Sequence, residues 1–226
     1  MGSFSQESGK ALLAELASAV PGLPVITPAS SEYRSLRAAY QLENQTEPLA
    51  IVRPRTAEDV AAVIPLAHTH GVKITVRSGG HDIFGRSFAE GAIAIDMRPL
   101  NAVHVSEDRK TARIGGGTLM GGLLEALAKF HLITPFGSVP SVGYVGWATL
   151  GGYGQLSPHY GLGVDQIVEA KIANSKGEVV DADREMLKGI RGAGGNFGVI
   201  VELTIKVYPL KNVGQDRNVR DYCPRI

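Results

Sequence analysis

The sequence predicts an α+β fold built as two lobes, and three observations carry that expectation. Segments with apolar residues at helical spacing alternate with short runs rich in β-branched residues. The length of 226 residues suits one substantial domain, or two small lobes sharing a core. The 28 glycines make up about an eighth of the chain, against a usual share of about 7%. They cluster at 79–91, 115–122, 137–163 and 192–198, each cluster beside an apolar segment, as if several backbone loops approach one large ligand.

The elements follow in order. "ALLAELASA" is a short amphipathic helix ended by Pro21 and Gly22, and "SEYRSLRAAYQLENQ" reads as polar and loop-rich. "PLAIVRP" is a buried strand closed by proline. In "TAEDVAAVIPLAHTHG", Thr56 and Asp59 stand at capping-box spacing, with Asp replacing the usual Glu. Val60, Val63, Ile64 and Ala67 form the apolar face of that helix. Pro65 is expected to kink it and Gly71 to stop it. "VKITVRSGG" and "GAIAIDMRPL" are strands, and "AVHVSEDRKTARIGGG" is two strands around a polar turn. "TLMGGLLEALAKFH" is a helix with Leu119, Leu123, Leu127 and Phe130 at helical spacing. Residues 132–165 show little periodicity, and a loop of that length inside a domain implies a function. "QIVEAKIANSKGEVVDA" is a hairpin turning at Asn174 to Gly177, and "DREMLKGIRGAGG" is a short helix. In "FGVIVELTIKVYPL", Val199, Val201, Leu203, Ile205 and Val207 alternate with mostly polar partners as a last strand.

Composition excludes several function classes. Lys+Arg (23) and Asp+Glu (22) nearly balance, which argues against a nucleic-acid surface or a polybasic membrane anchor. The amino terminus has no long apolar run, and Gln6 stands where a myristoylation signal starting at Gly2 needs Ser or Thr. The single cysteine, Cys223, rules out an internal disulfide and suits a reducing compartment, so a cytoplasmic location is expected.

Known catalytic and phosphate motifs are mostly missing. The P-loop pattern is absent; "GAGGNFG" carries Phe197 where a dinucleotide fingerprint needs its last glycine, and "GGGTLMG" fails at Met120. His68 and His70 cannot share an ion while helical, because residues two apart diverge by roughly 200°. His104, His131 and His159 show no zinc spacing, so no metal is expected. Asp96 and Asp165 read as turn or helix-start residues. The remaining stretch is "TVRSGGHDIFGRS", in which Arg77 suits a phosphate, Gly79 and Gly80 allow a sharp turn, and His81 follows directly. By itself it fits an ordinary tight turn as well as a site.

Four segments taken together go further. "VRSGGHDIFG", "IDMRPLNAVHVSEDRKTARIGGGTLMGGL", "SVPSVGYVGWATLGGYGQLSPHYGLGVDQIVEAKIANSKGEVVDA" and "IRGAGGNFGVIVELTIKVYPL" stand in family order and spacing over about residues 45–210. They resemble the PCMH-type FAD-binding domain of the vanillyl-alcohol-oxidase flavoproteins, within it the berberine-bridge-enzyme-like and 6-hydroxynicotine-oxidase-like group. The resemblance implies two α+β lobes clasping FAD: 1–44 as an N-terminal helix and loop, 45–115 as lobe one, 116–210 as lobe two and 211–226 as a divergent polar tail. It implies that Arg77 and the backbone amides of Ser78, Gly79, Gly80, His81 and Asp82 meet the pyrophosphate, since converging amides hold an anion with few lysines. It places Ser141, Val142, Gly143, Gly146, Thr149, Gly151, Gly152 and Gly154 along the cofactor from lobe two, with Val199 and Ile200 meeting it through their backbone.

In this group the residue closing RSGGH bonds to the flavin 8α-methyl carbon, which implies covalent FAD through His81. Many relatives carry a second, cysteinyl tether; Val139 stands at that position here, so none is expected. The implied activity is that of an FAD-dependent oxidase, moving a hydride from a substrate C–H to flavin N5 with O2 as acceptor. Substrates in the group include alkaloids, sugars and other secondary metabolites, and the sequence does not choose among them. Relatives are about twice as long and continue into a substrate domain, whereas the family pattern ends here at Leu210. No catalytic acid or base is therefore named, and a truncated, non-catalytic FAD-binding remnant is the alternative. Tyr144, Trp147, Tyr153 and Tyr160 lie in the loop placed by the flavin and read as packing anchors, with stacking on a ring or contact with substrate as the alternative. An apolar face left without its second domain is expected to drive self-association.

Overall fold

The computed structural model describes residues 6–40 and 46–210. The expectations for Gly2, Cys223 and the tail from residue 211 concern residues outside that range. Helix α1 (Gln6–Ala19) leads to β1 (Val25–Ile26), the short α2 (Tyr33–Arg37), β2 (Ala50–Val52), α3 (Ala57–Thr69), β3 (Ile74–Arg77) and β4 (Ile93–Asp96). These strands form one sheet in the order β1-β2-β4-β3, with β2 and β3 parallel to β4 and β1 antiparallel at the edge. Parallel neighbours need a crossover, and α3 supplies it between β2 and β3. The helix starts with the expected reciprocal cap: Thr56 Oγ1 accepts from the Asp59 amide (3.0 Å), and Asp59 Oδ2 accepts from the Thr56 amide (3.3 Å). It runs on through Pro65. Val60, Val63 and Ala67 face Leu12 and Leu16 of α1, Ile93 and Ile95, all fully buried. His70, at the end of α3, meets Glu15 of α1 at 2.6 Å rather than joining His68 at a shared ion.

The second sheet contains β5 (Val103–Val105), β6 (Thr111–Gly115), β8 (Ile167–Ala173), β9 (Val179–Asp181) and β10 (Val199–Lys206), in the antiparallel order β5-β6-β10-β8-β9. Thus β5 and β6, which the expected boundaries assign to lobe one, pair into the sheet of lobe two. Helices α4 (Met120–Ala128) and α8 (Arg184–Ala193) pack on it, around a core of Ile114, Leu123, Leu127, Tyr144, Ile167, Leu203 and Ile205. Leu123 and Leu127 are buried as the helical spacing predicts. Leu119 is the N-cap residue of α4, and Phe130 lies beyond its end and is exposed.

Residues 132–165 are not structureless. They hold β7 (Leu132–Ile133), which pairs with β11 (Tyr208–Pro209), and three short helices, α5 (Tyr144–Thr149), α6 (Ser157–Tyr160) and α7 (Gly163–Gln166). Helices of four to six residues are too short to show a 3.6-residue period, which is why the pattern looked empty.

Strand β10 joins the two lobes. Val199 and Val201 pack into the first core, while Ile200, Leu203 and Ile205 pack into the second. The ladder with β8 shifts register between Ile200 and Glu202, and one extra residue turns every later side chain to the other face. The simple alternation expected there therefore does not hold: Ile200 and Thr204 are buried too. No helix among the described residues is long and apolar enough to cross a membrane.

Candidate functional site

A cleft of about 730 Å³ lies between the lobes, within the range of pockets that hold large small-molecule ligands. Its first wall is the turn after β3. There Gly80 adopts φ +72°, a left-handed conformation that suits glycine and lets the chain turn sharply after Arg77. The amides of Gly79, Gly80, His81 and Asp82 donate to no backbone or side-chain acceptor among the described residues. Ser78 Oγ is buried and likewise has no partner. Donors on an open cleft wall bond water until a ligand displaces it, so four in succession without a protein acceptor offer a run of N–H groups to an anion.

The opposite wall comes from the segment before α5. Gly79 and Gly143 meet there: a Cβ on Gly79 would stand 2.4 Å from Gly143 N and 2.5 Å from Ser141 O. Only glycine permits this approach, so RSGGH and SVPSVG are interlocking parts of one contact. Ser141 Oγ lies 2.8 Å from His81 Nε2, and the His81 ring stacks on Tyr40 with centroids 5.1 Å apart. Burial, and then the positive Arg77, hold the His81 imidazole below its ordinary pKa. A neutral ring at neutral pH follows.

Most sequence-expected residues line the cleft: Ser78, Gly79, Gly80, His81, Asp82, Val142, Gly143, Gly146, Thr149, Val199 and Ile200. Arg77 does not. The residue is 5% exposed and its side chain is turned into the protein, 3.6 Å from Asp96 and donating to the Ala38 carbonyl at 2.9 Å. It therefore offers no direct contact to a ligand, although its guanidinium lies beneath Gly80, 3.0 Å from where a Cβ would be. Asp96 is correspondingly no simple turn residue. It is fully buried and accepts from Arg98 Nε (2.8 Å), Arg98 Nη2 (2.7 Å) and Arg53 Nε (3.2 Å). Burial pushes its carboxyl up, to about 6, against the pull of Arg77 and Arg53. Asp165 does act at a helix start, accepting from the Leu162 amide at 2.8 Å.

Ser141, Gly151, Gly152 and Gly154 also stand off the cleft wall. Gly152 and Gly163 make room for Trp147, while a Cβ on Gly154 would overlap the Phe136 carbonyl at 1.9 Å. Trp147 in turn lines the cleft, its Nε1 donating to the Tyr153 carbonyl at 3.2 Å. Tyr144 is buried in the second core, Tyr160 stacks on Tyr208, and Tyr153 is exposed. Sequence reasoning missed Tyr40, Ile83, Phe84, Arg86, Gly116 and Asn196, all on the cleft. Arg86 and Phe84 had a local signal: Arg86 pairs with Asp82 four residues earlier (2.6 Å) and lies over the Phe84 ring. Tyr40, Gly116 and Asn196 arrive from distant segments and had none.

Comparisons with known proteins bear on the family and the fold. A family model described as an FAD binding domain matches residues 48–183. The chain is 42% identical over 211 residues to FAD-linked oxidoreductase aurO of Gibberella zeae, a match covering 92% of this chain and 42% of that protein. It is 37% identical over 190 residues to (R)-6-hydroxynicotine oxidase of Paenarthrobacter nicotinovorans, covering 82% and 42%. The solved structure of Physcomitrella patens BBE-like 1 superposes with a TM-score of 0.83 at 32% identity, over 87% of this chain and 44% of that one. The chain thus spans about two-fifths of the length of the curated relatives it matches. With the four motifs in register and the two lobes in place, it belongs to the FAD-binding domain family, as a PCMH-type domain of the berberine-bridge-enzyme-like flavoproteins.

Proposed function

We propose that this chain holds FAD in the cleft and is the FAD-binding portion of an FAD-dependent oxidoreductase. The observation that carries the proposal is the run of unpartnered amides from Gly79 to Asp82, turned at Gly80. Such a concavity binds a diphosphate without lysines, and the buried guanidinium of Arg77 adds positive potential beneath it. The residues present fit the cofactor in two further ways. The cleft suits a ligand of that size. A neutral His81 on its wall suits a covalent tether, and no second tether is possible at Val139. Val142, Gly143, Gly146, Thr149, Val199 and Ile200 line the rest of the cofactor path. When bound, FAD would supply the hydride acceptor for a substrate C–H bond and pass the electrons on, with O2 the expected acceptor. The protein's own part is to bind, orient and shield it.

Acid precipitation of the purified chain tests this, with absorbance of pellet and supernatant and an intact mass. A yellow pellet and one added FAD mass, both lost in His81→Ala, are expected. A colourless protein with bare mass after refolding with FAD refutes cofactor binding, while a yellow supernatant refutes only the tether. Substrate-dependent bleaching of the flavin separates an oxidoreductase of small molecules from a flavin-binding remnant without turnover. Ile83, Phe84 and Leu150 are exposed on the cleft, which supports self-association; sizing chromatography reads it, and a monodisperse monomer refutes it. A cytoplasmic location belongs to the same reading and is checked by cell fractionation.

A further inference from the structure

His81 is held from two sides. Nε2 lies 2.8 Å from Ser141 Oγ, which comes from the other lobe, sixty residues away in sequence. One face of the ring stacks on Tyr40, whose amide donates to the Gly80 carbonyl at 2.9 Å. The segment carrying Ser141 is itself pinned to the start of α4. The Met120 amide donates to the Val142 carbonyl and the Gly121 amide to the Pro140 carbonyl, each at 2.9 Å, and the Val142 amide donates to the Val139 carbonyl at 3.2 Å. Ser141 is therefore a fixed point against which the imidazole is set. Nδ1, in contrast, makes no hydrogen bond with any described residue.

A neutral imidazole carries its proton on one nitrogen and a lone pair on the other, and the partner of one nitrogen decides the state of both. We propose that Ser141 is a positioning residue for His81: its hydroxyl accepts the Nε2 proton and so fixes the tautomer whose lone pair is on Nδ1. The reverse arrangement, with Ser141 donating to Nε2, would put a proton on Nδ1 with no protein acceptor to receive it. It would also need the tautomer that is the less favoured in free histidine. The consequence rests on the cofactor reading above: the nitrogen left to tether FAD is Nδ1, which would bond the 8α carbon as that carbon loses a proton and the flavin takes up two electrons, to be reoxidised by O2. The alkylated ring regains neutrality by losing its Nε2 proton, after which Ser141 keeps the contact by donating to Nε2. Ser141 does not itself line the cleft and thus acts through His81.

The test begins without the cofactor. Protein labelled with ¹⁵N-histidine, made in a riboflavin-requiring host starved of riboflavin, shows the tautomer of each ring in a long-range proton–nitrogen spectrum. His81→Ala identifies the His81 signals among the six histidines. The wild type is expected to carry the proton on Nε2. Ser141→Ala is expected to give a mixture of tautomers, and Ser141→Thr, which keeps the hydroxyl, to restore the wild-type pattern. A proton on Nδ1 in the wild type overturns the proposal, as does a His81 pattern unchanged in Ser141→Ala. Circular dichroism confirms that each variant is folded, and the threonine variant keeps the test decisive should alanine prevent folding. The second readout is the rate at which FAD mass is gained on adding FAD. Ser141→Ala should slow it about tenfold, the equivalent of one hydrogen bond, and Ser141→Thr should stay near the wild type; equal rates in alanine and wild type also overturn the proposal. If the wild type gains no FAD, the cofactor reading falls and the tautomer spectrum alone decides this one.

Discussion

Replacing Gly79 by alanine adds one methyl group at the tightest point between the two lobes. That carbon would stand 2.4 Å from Gly143 N, 2.5 Å from Ser141 O and 2.9 Å from Val142 C, where ordinary contact begins near 3.4 Å. The lobes must open by about 1 Å, because all three obstacles are backbone and none can swing aside. Nor can the opposing segment drift, since the amides of Met120 and Gly121 hold it to α4. Overpacking a close-packed site costs about 1–3 kcal/mol, and a clash with pinned backbone belongs at the upper end, about 3 kcal/mol. For a chain of this length each kcal/mol moves the midpoint by about 2–4 °C, so a fall of about 6–12 °C is expected. Thermal unfolding followed by circular dichroism measures it, and the same samples tested for FAD mass should show reduced attachment. A midpoint within about 2 °C of the wild type would refute the argument that this contact sets the width of the cleft.

The other predictions use different readouts. Gly122→Ala is the matched control: Gly122 is exposed within α4 with nothing within 4 Å of an added Cβ, so the change should stabilise the fold by about 0.5–1 kcal/mol in urea unfolding. Any destabilisation there would mean that glycine is required for a reason other than space. The His81 ring sits below its ordinary pKa through burial and then Arg77. The unfolded chain therefore takes up a proton first as pH falls, and the stability tied to a neutral His81 is lost progressively below about pH 6.5. The wild type should lose stability relative to His81→Ala on acidification, and parallel pH profiles would refute this. Trp147 is the only tryptophan and lines the cleft. Its emission should be quenched as FAD is titrated in, and unchanged emission alongside demonstrated binding would place the cofactor elsewhere.

What could be read from the chain was local. The Thr56–Asp59 cap of α3, the hairpin turn at Asn174 and the helical stripe of Leu123 and Leu127 each depend on residues within a few positions of one another. The turn at Gly79 and Gly80 was legible for the same reason, and with it the amides on the first wall of the cleft. Residues whose roles depend on a distant partner were misread or missed. Arg77 looked like a phosphate ligand because nothing near it in sequence announces Asp96, nineteen positions on and on the neighbouring strand. Gly152 resembled a cofactor-contacting glycine, whereas its missing side chain accommodates Trp147 and Gly163.

The sequence by itself determined the family, the α+β class, the four glycine-rich motifs and the histidine at the end of the first, since motif order and local periodicity need no tertiary partner. Only the tertiary structure decided which glycines face the cleft and which make room for a neighbour. It alone set Ser141 against His81, buried Asp96 among three arginines, and used a register shift in β10 to serve two cores. Each of these is a contact between segments far apart in the chain, where distance and burial exist only once the lobes have closed on one another.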